Sequence, residues 1–402
     1  MAAMIRGLTY EGVPVWRHAL VIRWTAQIVS AILVVTLVVW FFANIASAVG
    51  ERDIPYGFSF LSREYQTPIG EHFIPYESSD TFLYALGVAV TNTLIVAIAG
   101  VILATILGTL IGVARLSGNW LVSKIALAYI EFFRNVPLLV QLLFWFFIVL
   151  TLPIEREAYN IAGRLYISNS GISMPWASPS SGVLTAVAWV ALSVIGVVAG
   201  VFVNKRLSRR ETETGQVSYP LLSGWATAIL VSVAAWLVIG ALAGGAPFTI
   251  SMPEPSAQRF GRIVGGFTLR AGFMVLLLGL VIYTSAFIAE IVRAGIQSVN
   301  RGQTEAARAL GLSPVETLRK VVFPQALRVI IPPLISQCLN LTKNSSLAGA
   351  VGYSDLTSVA LTMTQTAPAV SIFMLIMAAY LAMSLTWSLI GNLYNRHIGF
   401  TG

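Results

Sequence analysis

The chain has 402 residues, 56% hydrophobic and only 10% charged, with 25 Lys and Arg against 17 Asp and Glu for a formal net charge of +8. A mean hydropathy of +0.79 in long apolar runs excludes an ordinary soluble domain, because a hydrocarbon core about 30 Å thick takes roughly 20 apolar residues per helix. The runs do not alternate every second residue, which excludes an outer-membrane barrel, and the basic excess reads as loop topology rather than a nucleic-acid surface.

Eight spanning helices are predicted, at residues 20–46, 81–113, 125–150, 182–203, 222–243, 267–293, 327–343 and 371–394. The first is too long for a cleaved signal peptide and lacks a convincing cleavage site after it, so it reads as a retained span. Arg6, Arg17 and Arg23 precede the first span, and Arg115 and Lys124 join the second to the third. Lys205, Arg206, Arg209 and Arg210 join the fourth to the fifth, Arg301, Arg308, Arg319 and Lys320 join the sixth to the seventh, and Arg396 follows the eighth. All fall on one side, which becomes the cytoplasm with both termini in it. The other side carries longer connections at 47–80, 151–181 and 244–266, rich in Pro, Gly, Ser and aromatics. They still hold Arg52, Arg63, Arg156, Arg164, Arg259 and Arg262, so the bias is partial.

Polar residues inside spans are costly and mark function or specific packing. Glu131 and Arg134 lie three apart in the third span, and Glu290 and Arg293 repeat the spacing in the sixth. Each pair can neutralise itself on one helix face, as a structural ion pair or a gate. Asn92, between Thr91 and Thr93, sits within the second span, and Asn340, Lys343, Asn344 and Ser345 form a polar patch at the end of the seventh. Gly349 and Gly352 follow and predict a break in the backbone. Lys343 offers a cation, and the Asn side chains offer amide oxygens, to a polar solute. Interhelical hydrogen bonding explains Asn92 equally well, and Gly108 and Gly112 read as a packing face.

Between the sixth and seventh spans, residues 300–324 hold a dense cluster of charge and caps. Asn300 and Gln303 fit a capping box, and a short helix follows to about Leu310, where Gly311 suits a left-handed stop. Ser313, Pro314 and Glu316 start a second helix, with Glu316 facing Arg319 and Lys320. Pro324 closes the unit. Ala306, Ala307 and Ala309 keep the first helix narrow, so that another protein can approach its backbone. A passive linker needs neither cap, and the stretch reads as a rigid docking elbow.

Glu305-Ala306-Ala307, then Gly311, then Val321-Val322-Phe323-Pro324 resemble the Glu-Ala-Ala loop of ABC importer permeases, with Val321 and Phe323 standing where the pattern has Ile and Leu. The stretches YIEFFRNVPLLVQLLFWFF at 129–147, TSAFIAEIVRAGIQSV at 284–299 and NSSLAGAVG at 344–352 resemble the polar amino acid branch of that family. The segment 57–82 resembles the longer subunits of general L-amino acid or glutamate/glutamine/aspartate/asparagine importers. The resemblance implies an all-α polytopic membrane protein, a type I ABC importer transmembrane domain of about eight spans in a bacterial inner membrane. It implies a permease core at 80–150 and 267–402, an extra N-terminal helix and external loop at 1–79, and an insert with two extra helices at 151–266. The elbow becomes the coupling loop that sits in a groove of an ATPase subunit.

No Gly-x-x-x-x-Gly-Lys-[Ser/Thr] loop occurs, so ATP and Mg are expected in that partner and no cofactor in this chain. Further expected partners are a second, related permease subunit, because no internal repeat supplies both halves of a pore, and a periplasmic amino-acid-binding protein. The lone Cys338 excludes an internal disulfide, and His18, His72 and His397 are too scattered for a metal site or a catalytic triad. An ion-coupled secondary transporter or channel is the alternative, and it has no use for the elbow.

Overall fold

The computed structural model describes residues 9–10, 13–14, 19–51, 55–180, 182–256 and 261–399. Arg6, Arg17, His18, Arg52 and Arg259 lie outside the described residues. A first helix, α1 (Ala19–Glu51), follows the short strands β1 (Thr9–Tyr10) and β2 (Val13–Pro14), and α2 (Phe82–Arg115), α3 (Trp120–Asn135) and α4 (Leu138–Leu150) come next. Then come α5 (Val183–Thr214), α6 (Pro220–Ala243), α7 (Ala271–Gln297), α8 (Arg301–Ala309), α9 (Pro314–Thr317), α10 (Phe323–Asn344), α11 (Leu356–Met363) and α12 (Ala369–Gly399). Among the described residues seven helical segments are long and apolar enough to cross a membrane, or eight when α3 and α4 count as one broken span.

The centre is the parallel pair α2 and α7. A Cβ on Gly108 would lie 2.7 Å from Ile288 Cβ, and one on Gly112 would lie 2.6 Å from the Ala289 carbonyl oxygen. Both positions must therefore be glycine for the two backbones to approach this closely. Leu142 of α4, Leu276, Leu280 and Ile288 of α7, and Ile330 and Leu341 of α10 complete one buried core. Phe60, Phe82, Leu356, Met363 and Ile372 form a second, where the segment before α2 folds over α11 and α12. By contrast, the apolar stretch of α1 is entirely unburied, and α5 and α6 pack chiefly on each other, with Trp189 Nε1 donating to the Ser232 carbonyl at 3.0 Å.

Four expectations are corrected. The span predicted at 125–150 is two helices bent by 103°. Pro137 has no N–H and forces Val136 to an extended ψ of 128°, which stops α3. Gln141 Nε2 then donates to the carbonyls of Phe133 and Val136 at 3.0 and 2.9 Å, satisfying groups the break exposes. The polar run after residue 203 is helical as far as Thr214, where Gly215 ends α5 with φ +68°, so Lys205, Arg206, Arg209 and Arg210 lie on a helix rather than in a loop. The start of the sixth span, 267–270, is a strand.

The fourth correction concerns the connections at 151–181 and 244–266, which carry strands outside the helical frame. Together with 267–270 they form antiparallel strands: β3 (Tyr159–Ile161), β4 (Leu165–Ser168), β5 (Gly171–Met174), β6 (Trp176–Pro179), β7 (Phe248–Ser251), β8 (Glu254–Ser256), β9 (Arg262–Val264) and β10 (Phe267–Arg270). One sheet has the order β10-β5-β4-β3, and β6–β7 and β8–β9 are separate ribbons. Arg270 pairs with Gly171, so the sheet leads directly into α7. The strands and the elbow sit at opposite ends of α7, about 40 Å apart at 1.5 Å per residue.

Candidate functional site

The elbow is built by local hydrogen bonding. Asn300 Oδ1 accepts from the Gly302 N–H at 2.8 Å, which caps α8 one residue earlier than the expected box. Gln303 reaches across instead, accepting from Gln325 Nε2 at 3.3 Å. The Gly311 N–H donates to the Arg308 carbonyl at 2.9 Å and the Leu312 N–H to the Ala307 carbonyl at 3.2 Å, with Gly311 at φ +80°. That bond pair is a Schellman stop.

The second helix opens with the expected box. Glu316 N–H donates to Ser313 Oγ at 3.3 Å and Ser313 N–H to Glu316 Oε2 at 3.2 Å. Lys320 Nζ binds Glu316 Oε1 at 2.9 Å. Lys320 and the Ser313 hydroxyl and amide together hold the Glu316 carboxyl down at about 2, so it is an anion throughout the physiological range.

Pro324 does not close the unit. A π-helical turn, Leu318–Val322, joins α9 to α10, and Pro324 is the second residue of α10 rather than a terminator. The second arm of the elbow is thus continuous with a spanning helix. Gly295 of α7 abuts the Ile330 side chain of α10, so the end of α7 packs closely on the helix that the elbow leads into. Ala307 is buried at 3% exposure, whereas Glu305, Ala306 and Ala309 are exposed. Leu310 at 82% and Val315 at 73% exposure stand beside them, giving a narrow apolar tip rimmed by charge. Sequence reasoning passed over these two residues, although a large apolar side chain beside each cap was the signal.

Of the paired charges, Glu290 and Arg293 form the expected ion pair, bidentate at 2.5 and 3.0 Å. Glu131 and Arg134 do not. Glu131 Oε2 accepts from Asn135 Nδ2 at 3.3 Å, and the Arg134 guanidinium lies 5.3 Å from the centre of the Phe287 ring on α7. The two α3 charges therefore act on different neighbours, Glu131 on Asn135 of its own helix and Arg134 on Phe287 of α7.

The polar patch also divides. Asn340 and Lys343 are exposed on one face of α10, Asn344 is half-buried, and Ser345 is fully buried, its hydroxyl donating to the Thr342 carbonyl at 2.7 Å. Lys343 makes no ion pair among the described residues. The backbone tightens to a 3-10 turn over Ser345–Val351 and ends at Gly352 with φ +74°, the break that Gly349 and Gly352 predicted.

Asn92 does not line an opening. It is fully buried, and its Nδ2 donates to the carbonyls of Glu71 at 2.7 Å and Ser354 at 2.8 Å. The Tyr353 hydroxyl donates to the Asn92 carbonyl at 2.9 Å. Asn92 therefore fastens the segment before α2 and the turn before α11 onto α2. Glu71 completes this knot, since its carboxylate accepts from the backbone N–H groups of Gly272 and Phe273. It caps the first turn of α7 from another part of the chain, where Arg270 at the N-cap supplies no side-chain bond. Burial pushes the Glu71 carboxyl up to about 7 against the opposing pull of Arg270 and the two amides. Nothing local in the sequence marks Glu71, because its partners lie about 200 residues downstream.

Among the described residues no group of three or more His, Cys, Asp and Glu is placed to hold a metal ion. Cys338 is a buried free thiol.

The model of the family described as binding-protein-dependent transport system inner membrane component matches residues 100–399. The chain is 40% identical over 396 residues to YhdX of Escherichia coli (strain K12), covering 98% of each. It is 41% identical over 371 residues to the general L-amino acid transport system permease protein AapQ of Rhizobium johnstonii, covering 92% of this chain and 90% of that one. Against the glutamate/glutamine/aspartate/asparagine transport system permease protein BztB of Rhodobacter capsulatus, identity is 40% over 401 residues, with 93% of each chain covered.

Proposed function

This chain belongs to the family of binding-protein-dependent transport system inner membrane components, and on that premise we propose that it is the permease subunit of an ATP-driven importer of polar L-amino acids. The observation that carries the reading is the elbow. It is capped at both arms, apolar at its tip and continuous with α10, which suits an element that passes motion from a soluble subunit into the membrane.

ATP and Mg belong to the partner ATPase, whose closure displaces Glu305, Ala306, Ala307 and Gly311. Because α9 runs into α10 without a flexible joint, and α10 rests on α7 at Gly295, displacement at the tip tilts both helices. Coupling requires two arrangements of these helices and a different ATP affinity in each. Asn340 and Lys343 lie on an exposed face of α10, Lys343 about 30 Å along it from Phe323. An ammonium at that depth is costly unless a water-filled path and a carboxylate offset the cost. This face supplies the substrate carboxylate's partner and meets a second, related permease subunit across the pore, a heterodimer. Glu290 and Arg293, with Arg134 against Phe287, brace the cytoplasmic end of α7. The core is 80–150 with 267–402, the regions 1–79 and 151–266 are additions to it, and both termini face the cytoplasm of a bacterial inner-membrane complex.

The test is reconstitution in liposomes with the neighbouring-gene ATPase, second permease and soluble binding protein. Uptake of labelled glutamate or glutamine should require ATP on the elbow side and the binding protein on the strand side. Uptake driven by an ion gradient without ATP would overturn the reading in favour of a secondary transporter.

A further inference from the structure

The strands contributed by 151–181 and 244–266 have a use that the amino acid path does not explain. Between the turn Glu155–Glu157, the β4–β5 turn and strands β9 and β10 lies an open cleft of about 730 Å³. Among the described residues its charged lining is three guanidinium groups, Arg156, Arg262 and Arg270, against one carboxylate, Glu155. All three arginines are exposed. We propose that this cleft docks a carboxylate-bearing segment of the soluble protein that delivers the solute, an inference that rests on the function proposed above.

Charge and shape both favour a protein surface over a free amino acid. A single amino acid fills a small part of the cleft and leaves most of its exposed arginine surface in water, where each ion pair is weak. A protein surface covers all three at once, excludes water between them, and presents carboxylates at the spacing a guanidinium fork accepts. Such a patch also steers encounter from solution, most strongly at low ionic strength.

The cleft is tied to the spanning helices. Asn169 N–H donates to the Pro153 carbonyl at 2.8 Å, just after α4, and Ala271 N–H donates to the Ser170 carbonyl at 2.9 Å, at the start of α7. Arg270 Nη1 donates to the Gly70 carbonyl at 2.9 Å, one residue from the Glu71 carboxylate that caps α7. The Arg156 side chain lies along the β8–β9 ribbon, its Cγ 3.0 Å from where a Cβ on Gly261 would stand. A docked acidic segment therefore bears on the first turn of α7, about 40 Å from the elbow.

The experiment measures ATP hydrolysis by the complete importer in nanodiscs against the concentration of its solute-loaded binding protein. It is run at ionic strengths from about 0.01 to 0.1 M, across which the screening length falls from about 30 to about 10 Å. Arg262→Gln should raise the half-saturating concentration about two- to fivefold at the low end, the range of an exposed ion pair. Arg262→Glu should raise it further and flatten the salt dependence, and Glu155→Gln should lower it. The change should appear in the half-saturating concentration and not in the saturated rate. Unchanged half-saturation in Arg262→Glu and Glu155→Gln at low salt overturns the inference while leaving the importer reading intact. Absence of any stimulation in the unmodified complex would instead defeat the importer reading. Should Arg262→Glu fail to assemble, Glu155→Gln still decides, because it adds no charge and predicts the opposite sign.

Discussion

Gly311→Val isolates the elbow's rigidity from everything else in the molecule. Gly311 holds φ +80°, and no atom lies within 4 Å of the position a Cβ would take, so a side chain meets no clash and the cost is purely one of backbone. A β-branched residue in the left-handed region costs about 1–2 kcal/mol, which shifts the population of the intact stop by roughly 5- to 30-fold. If the substituted valine instead leaves that region, the bonds to the Arg308 and Ala307 carbonyls go with it, and α8 loses its fixed angle to α9. Gly311→Asn should lose much less, because Asn enters that region readily. Hydrogen exchange of the 301–317 segment, read beside ATPase binding and solute uptake, should show faster exchange and weaker coupling in the order wild type, Asn, Val. Membrane insertion should persist in all three. Exchange and uptake in Gly311→Val equal to wild type would refute the reasoning.

Asn92→Ala should destabilise the protein by about 1–3 kcal/mol in all, by taking the donor from the half-buried carbonyls of Glu71 and Ser354. Thermal unfolding in detergent, with exposed Asn340→Ala as comparator, checks it, and equal losses would remove Asn92 from the knot. Glu71, raised to about 7 from the usual carboxylate range by burial, binds its proton more tightly folded than unfolded. Its contribution to stability is therefore full at low pH and is lost as pH rises through about 7. Glu71→Gln should remove that part of the decline in melting temperature, and an identical pH profile in the variant would contradict the assignment. Lys343→Met keeps length and removes charge, so uptake should fall at least tenfold, on the order of 1.4 kcal/mol of lost carboxylate binding, while assembly and basal ATP hydrolysis survive. Unchanged affinity and rate would favour a lysine that merely reaches for the interface.

What the sequence made legible was whatever is encoded locally. Gly108 and Gly112 announced a close helix pair, and Ser313 with Glu316 announced a cap. Gly311 announced a left-handed stop, because each signal lies within one or two helical turns. Pro137 carried an equally local signal that the apolar run around it concealed. A run of apolar residues satisfies the length rule for a span whether or not the backbone bends, and only the missing N–H of Pro137 distinguishes the cases. The strands were hidden for a related reason. Short segments such as Leu165–Ser168 and Phe267–Arg270 are too brief to show a period of two, and Phe267–Arg270 merges with the apolar start of α7.

The long-range knot had no local signal at all. Asn92 read as a polar group looking for a partner inside a span, and both a solute and another helix could have met that need. The structure meets it with two backbone carbonyls, from Glu71 and Ser354, which have no sequence signature because every residue has one. That places the two kinds of polar residue on opposite sides of one energetic rule. Where the chain folds back to take the donors of a buried amide, as at Asn92 Nδ2, the residue is architecture, even though Asn92 Oδ1 is left buried without a partner. An ammonium such as Lys343, exposed on α10 with no ion pair among the described residues, has its cost left open by the chain, and whatever closes it must come from outside, as solute, water or a second subunit. The open cost, rather than polarity by itself, is the reason for proposing the face of Lys343 and its neighbour Asn340 as the one that meets the transported molecule.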